Sequence, residues 1–314
     1  MQFLFRGIVT ASITLLLTWE MPIAGGEVTR TNPPIDVAHS YVAMGDSYSS
    51  GENSPEYDPA TRRLRDKCHR SIKGAWPELL GSTTLIACSG AKVSELFHPK
   101  LFRAAPDNVG QIDQLKALKR SRPVDLVTVT IGGNDLGFTK ILALCFARRC
   151  LHHFTKNRVA AYHLSIELGR KVYPAIRDAV GHSVPVLVVG YPDIFPQHIS
   201  DVVKSDCGWL SERNLELLNE LERVLESELQ RAARQAGEYF VSTRGALRRH
   251  ELCTRHSFLK RIGPSCAFDQ ECGHPNVQGQ LRIAAYVRHY LRTHLHRVVA
   301  PSIASHAAVA TQPG

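Results

Sequence analysis

Among 314 residues there is no Cys-x-x-Cys pair and no His-Glu-x-x-His run, so the spacings that commonly hold zinc are missing and no metal centre is expected. No nucleic-acid-binding motif accompanies the formal net charge of +9, which excludes specific nucleic-acid recognition from the expectations. The charge suits attraction to an anionic surface, such as a membrane or an acidic polysaccharide. No internal repeat and no convincing linker is present, which points away from repeat architectures and towards one domain. Past the N-terminal segment, no stretch approaches the roughly 20 apolar residues that a membrane span needs. The hydrophobic content of 44% and charged content of 21% are ordinary for a chain that buries a full core.

The N-terminal segment reads as an export signal. Arg6 supplies a positive start, Gly7 to Trp19 is mostly apolar, and Pro22-Ile23-Ala24 offers a small-residue cleavage site before Gly25. Residues 1–24 are therefore expected to be a signal peptide, with an uncleaved anchor as the alternative, and 25–37 a polar leader. Residues 38–297 are expected to form the single domain and 298–314 a disordered tail. The protein is expected to be secreted, extracellular or periplasmic, and monomeric. Eight cysteines (68, 88, 145, 150, 207, 253, 266 and 272) in an exported chain predict disulfides, and composition alone does not choose their pairing.

Five short apolar runs, Tyr41–Met44, Thr84–Ala87, Leu126–Ile131, Val186–Val189 and Tyr239–Val241, show little alternation, as strands buried on both faces do. Helical stretches separate them, which predicts crossover units and a parallel sheet of about five strands. The clearest helix spans Ser211 to Ala236, with Leu215, Leu218, Leu221, Val224, Leu225 and Leu229 on one face, Ser211 as N-cap and Gly237 as stop. Packing onto the sheet is the expected use of that face; a coiled-coil partner is the alternative. A last helix is expected from Val277 to Leu295.

Four segments carry candidate chemistry. Gly45-Asp46-Ser47-Tyr48 follows the first strand, where a serine at a strand-to-helix turn exposes its hydroxyl and has its backbone N–H at a helix start. The pattern is not Gly-x-Ser-x-Gly, because Ser49 stands in the last position. Cys88-Ser89-Gly90 follows the second strand, and Gly90 serves a tight turn in any case; Ser89 reads as structural. Gly132-Gly133-Asn134-Asp135 follows the third strand; paired glycines allow close backbone approach, and an asparagine amide can face a developing negative charge. Its alternative use is an Asx-turn. His274 in Gly273-His274-Pro275-Asn276 opens the last helix, where it can act as general base towards a serine.

Taken in order, these segments resemble the SGNH (GDSL-type) hydrolases, in the secreted lipase/esterase branch where tyrosine replaces the motif leucine. Cys68-His69-Arg70-Ser71 before the second strand and Gly190-Tyr191-Pro192 after the fourth agree with that branch as scaffold. The resemblance covers residues 40 to 293 and implies a three-layer α/β/α sandwich. It implies a serine esterase with Ser47 as nucleophile, His274 as base, and Ser47, Gly90 and Asn134 as oxyanion donors, using no cofactor. It also implies pairing of Cys68 with Cys88 and of Cys145 with Cys150, leaving the last four cysteines to one another.

The family usually places aspartate three residues before the histidine, and here Glu271 stands there. Either Glu271 or a backbone carbonyl is expected to orient His274; Asp269 has the wrong offset. The expected substrate is a lipid or simple acyl ester. The alternatives are a polysaccharide O-acetyl ester, or a catalytically silent module that binds acidic surfaces through a basic run that includes Arg244, Arg248 and Arg249.

Overall fold

Each of the five apolar runs becomes a strand of one sheet. In the computed structural model these are β1 (Tyr41–Gly45), β2 (Thr83–Leu85), β3 (Leu126–Thr130), β4 (Val186–Val189) and β5 (Tyr239–Val241). All neighbours are parallel, in the order β2-β1-β3-β4-β5. The described residues are 40–62, 67–81, 83–99, 109–146, 154–263, 266 and 269–295, and all belong to one unit, Pro34–Gly314. The expected signal peptide, leader and tail lie outside them, as does Cys150 of the expected Cys145–Cys150 pair.

Successive strand residues point to opposite sides of a sheet. Val42, Met44, Val127, Val129, Val186 and Val188 fill one face, and Tyr41, Ala43, Leu126, Leu187, Val189 and Val241 the other. Both faces are covered, which is why the strands are apolar without alternation. Over the first face lie α2 (Gln111–Ser121), α4 (Phe154–Glu167), α5 (Tyr173–Val180) and α6 (Glu212–Ala236). Over the second lies α7 (Val277–His294), through Ile283, Ala284, Val287 and Leu291, with Trp76 and Leu80. The fold is a three-layer α/β/α sandwich.

The long helix α6 has Ser211 as N-cap, its hydroxyl accepting from the Asn214 N–H at 3.2 Å, and Gly237 in the left-handed conformation at its end. Its stripe is buried within the chain, so the coiled-coil alternative is not met. Leu225 and Leu229 reach the sheet-facing core, and each fully buried leucine contributes about 1.5–3 kcal/mol before entropy is charged against it. Val224, expected on this stripe, is only partly buried, and Ala232 and Ala233 extend the contact instead.

Strand β2 is displaced from the expected Thr84–Ala87. The Arg70 guanidinium takes the carbonyls of Ala87 at 2.8 Å (Nε) and Ile86 at 3.0 Å (Nη2), so these acceptors leave the ladder and the strand stops at Leu85. Three disulfides lie among the described residues: Cys68–Cys88, Cys207–Cys253 and Cys266–Cys272.

The chain runs from β1 outward to β2, then crosses back to lay β3, β4 and β5 on the other side of β1. A doubly wound sheet opens a crevice at such a reversal, outside the carboxyl ends of the two central strands. The segments carrying Ser47 and Asn134 leave β1 and β3 at that place. The end of β1 is closed by a side chain: Gln111 accepts from the Gly45 N–H at 2.7 Å and donates to the Gly45 carbonyl at 2.8 Å. Gln111 is wholly buried. Gln111→Leu should therefore lower unfolding stability by about 1–3 kcal/mol, because a buried N–H loses its partner. Urea denaturation of the two proteins measures it, and an unchanged midpoint would contradict this role.

Candidate active site

The four motif segments converge. Asp46 caps the short helix α1 (Ser47–Ser50), accepting from the Tyr48 N–H at 3.0 Å, which turns the chain sharply out of β1. Ser47 is thereby the first helical residue, and its Oγ lies 2.7 Å from His274 Nε2. A hydroxyl and an imidazole nitrogen at that separation can share a proton.

His274 is held mainly through its backbone. Its N–H donates to the Glu271 carbonyl at 3.0 Å, and its own carbonyl accepts from the Asn53 amide at 2.8 Å and the Lys260 N–H at 3.0 Å. The preceding Gly273 adopts φ +75°, and its carbonyl accepts from the Tyr48 hydroxyl at 3.1 Å. The ring is buried, and that burial lowers its pKa from the usual 6.5, with the negative charge of Glu52 as the main opposing influence.

Asn134 Nδ2 donates to the Ala91 carbonyl at 3.0 Å, which orients the amide and leaves it a second N–H. The neighbouring Gly133 N–H donates to the Tyr191 hydroxyl at 3.0 Å, and that hydroxyl donates to Asp46 Oδ2. One tyrosine thus ties the asparagine loop to the serine turn. Gly90, at φ +72°, lines the same cavity as Ser47, Asn134 and His274. The cavity measures about 820 Å³, and Tyr48, Phe138, Leu142, Ile194 and Leu225 give it an apolar wall. Of these, Phe138 and Leu142 sit on α3 (Phe138–Phe146). Asp193, Glu222, Glu226 and Arg244 also line it; burial pushes Glu226 up to about 7 and Glu222 well above the ordinary carboxylate range.

The structure does not bring the Glu271 carboxylate to the imidazole. Glu271 accepts from the Tyr57 hydroxyl at 2.8 Å and from Lys260 Nζ at 2.6 Å. The longer side chain turns towards that cation, which is the physical reason the expected glutamate contact is absent. Asp269 also pairs with Lys260, at 2.9 Å, and accepts from the Glu271 N–H at 3.0 Å. His274 Nδ1 is buried with no direct partner among the described residues, while the backbone carbonyls of Glu271, Cys272 and Gln270 still favour the protonated ring. Neither of the two expected orienting groups makes a hydrogen bond to Nδ1 among the described residues.

Sequence reasoning missed Glu52 and Asn53, although both directly follow the serine motif. It read Tyr191 as scaffold, and its link to Asp46 and Gly133 makes it a brace of the site. Among the described residues no group of histidine, cysteine or carboxylate side chains could hold a metal ion, and no helix is long and apolar enough to cross a membrane.

A sequence model of the GDSL-like lipase/acylhydrolase family matches residues 43–282. A lipase of Streptomyces rimosus is 29% identical over 286 residues, covering 88% of this chain and 95% of that protein. Lipase 1 of Streptomyces coelicolor is 27% identical over 275 residues, covering 85% and 91%. The crystal structure of an extracellular lipase from Streptomyces rimosus superposes with a TM-score of 0.62 at 25% identity, covering 80% of this chain and 98% of that one. That of phospholipase A1 from Streptomyces albidoflavus, at 24% identity and TM-score 0.58, shares the fold.

Because Glu271 is engaged by Tyr57 and Lys260, Glu271→Gln should leave kcat on a small ester within about threefold of wild type. Removal of a group that orients the base costs far more, on the order of 10⁴ in Ser-His-Asp proteases. Steady-state hydrolysis of p-nitrophenyl acetate decides between them.

Proposed function

The chain belongs to the GDSL-like lipase/acylhydrolase family and is a carboxylic-ester hydrolase, and from that premise we propose that Ser47 is its nucleophile and His274 its general base. The observation that carries this reading is the 2.7 Å contact between Ser47 Oγ and His274 Nε2 at the end of the central strands. Ser47 gives its proton to Nε2 as Oγ attacks the ester carbonyl carbon. The oxyanion that forms is met by the Ser47 and Gly90 N–H groups and the Asn134 amide, each worth about 10²–10³ in rate if it behaves like other such donors. The C–O bond to the alcohol breaks, and the alcohol leaves with the proton from Nε2. Water then gives a proton to Nε2, attacks the acyl carbon and releases the acid, restoring Ser47 Oγ–H. The hydrogen-bonded backbone of His274, rather than the Glu271 carboxylate, steadies the imidazole.

The acyl group is proposed to lie along the apolar wall formed by Phe138, Leu142 and Leu225, which favours lipid or simple acyl esters over an acetylated polysaccharide. The lipase names of the relatives support the same choice. The positive charge of the chain suits a substrate presented at an anionic membrane or polysaccharide surface. Secretion is the compartment that fits three disulfides among the described residues.

A chain-length series of p-nitrophenyl esters tests the reading. Ser47→Ala should lose at least about a thousandfold in kcat, and the preferred chain length separates a lipase from an acetyl esterase. Equal inertness of wild type and variant on every ester, with salt-sensitive binding to acidic surfaces, would give the binding module instead. The pH profile adds a second check. The base must be neutral, and burial lowers the His274 pKa below 6.5, so kcat/KM should hold through neutral pH and fall only as pH drops through that depressed value. An acid limb centred above 6.5 would contradict the assignment.

A further inference from the structure

Glu52 is a wholly buried carboxylate that the reaction as written above does not use. It lies one turn past the nucleophile, its N–H donating to the Ser47 carbonyl at 3.1 Å. Three side chains hold it. His69 Nδ1 is 2.8 Å from Oε1, the Gln270 amide donates to Oε2 at 3.0 Å, and Ser89 supplies a further hydrogen bond. Those partners come from the segment before β2, the loop that carries His274, and the turn next to Gly90. The carboxylate therefore sits where the nucleophile turn, the oxyanion turn and the histidine loop meet. A buried acid with three donors is held ionised. Burial alone would raise its pKa, yet the bonds from His69 and Ser89 and the nearby His274 bring it below 4.5. The influence is mutual, because Glu52 is the largest effect opposing the loss of charge on His274.

Resting on the Ser47–His274 reading, we propose that Glu52 is a positioning residue for ester hydrolysis: it is the buried anion that stabilises the His274 imidazolium while the tetrahedral intermediate exists. Asp269 also feels the charge of His274, but it and Glu271 share Lys260, which offsets part of their charge. The other titratable groups facing this corner are Tyr48, with its ring 5.3 Å from that of His274, Tyr57 stacked on His69, and Lys67, whose carbonyl takes the Gln270 amide. Glu52 needs no contact with Nδ1 to act. At an effective dielectric of about 20, Coulomb attraction reaches beyond hydrogen-bond contact and still matters at the level of about tenfold in rate.

The test compares Glu52→Gln and Glu52→Asp with wild type. Glu52→Gln should move the acid limb of kcat/KM to lower pH and reduce kcat on the plateau on the order of tenfold. Glu52→Asp, which keeps the charge, should hold the limb near its wild-type position. A merely structural role would lower activity or melting temperature in both variants without moving the limb, and would overturn the proposal. A direct readout that does not depend on turnover is ¹H–¹⁵N NMR titration of the His274 ring in the Ser47→Ala protein. Adding Glu52→Gln there should shift the midpoint downward, and an unmoved midpoint rejects the inference. If the Glu52 variants do not fold, ¹³C titration of Glu52 in wild type decides, since a carboxyl that is neutral where His274 titrates cannot play this part. The two readings fail separately: full activity of Ser47→Ala sinks the nucleophile assignment, whereas Ser47-dependent activity with an unmoved limb sinks only the role of Glu52.

Discussion

Everything at the site depends on how closely β1 and β3 approach at their carboxyl ends. Gly45 pairs with Thr130 at the last step of the ladder, with φ +122°, and a methyl group there would lie 2.1 Å from the Thr130 carbonyl oxygen. No side chain fits, and no L-residue adopts that backbone without strain. The close approach lets the Asp46 N–H reach the Thr130 carbonyl at 2.9 Å, so the serine turn begins against the strand that delivers the asparagine. Tyr191 then locks the two turns by bridging Asp46 and Gly133. The geometry of the proposed site is thus an extension of sheet pairing, carried one residue past the sheet by a glycine and held by a phenol.

That brace buries a carboxyl group. Burial raises Asp46 to about 7, against the opposing bonds from Tyr191 and the Tyr48 N–H. For an acid raised in the folded state, the folded protein holds the proton more tightly than the unfolded chain. Its contribution to stability is therefore fullest below the ordinary carboxylate range near 3.8 and declines as pH rises towards 7. Glu226, likewise raised to about 7, and Glu222 add to the same trend. Glu52 is the exception: it is as deeply buried, yet its partners keep it charged.

The sheet was legible in the sequence because strands buried on both faces leave an unalternating apolar signal, and three of the four candidate segments follow the end of a strand. Ser47, Gly90, Asn134 and His274 could be named because their segments, in this order, resemble the SGNH hydrolases; position at a strand end or helix start alone left each with a structural alternative. The end of β2 was not legible, since the choice between ladder and Arg70 is made by a side chain 15 residues upstream. Glu271 shows the same limit. An offset of three residues says where a carboxylate begins, but the direction it takes is decided by Lys260 and Tyr57, which no local pattern links to it. Glu52 was hidden for a related reason, because its partners His69, Ser89 and Gln270 come from three separate segments.

Among the described residues no carboxylate reaches Nδ1, and His274 is held instead through its backbone. The chain around it forms a small antiparallel closure: Leu259 bridges Pro275, the Gly273 N–H donates to the Lys260 carbonyl at 2.8 Å, and the Asn276 N–H donates to the Phe258 carbonyl at 2.8 Å. Asn53, itself at φ +65°, adds its amide to the His274 carbonyl, and Cys266–Cys272 closes the loop on its other side. Asn276 then caps α7, so Pro275 stands between a fixed bridge and a fixed helix start. With φ of the proline set and the peptide on either side bonded, the imidazole has little left to choose except its own rotamer. A triad acid both aims a ring and answers its charge. Here the pinned loop can do the aiming, and in the proposed mechanism the answering charge comes from another direction, from Glu52 on the buried side of the serine turn.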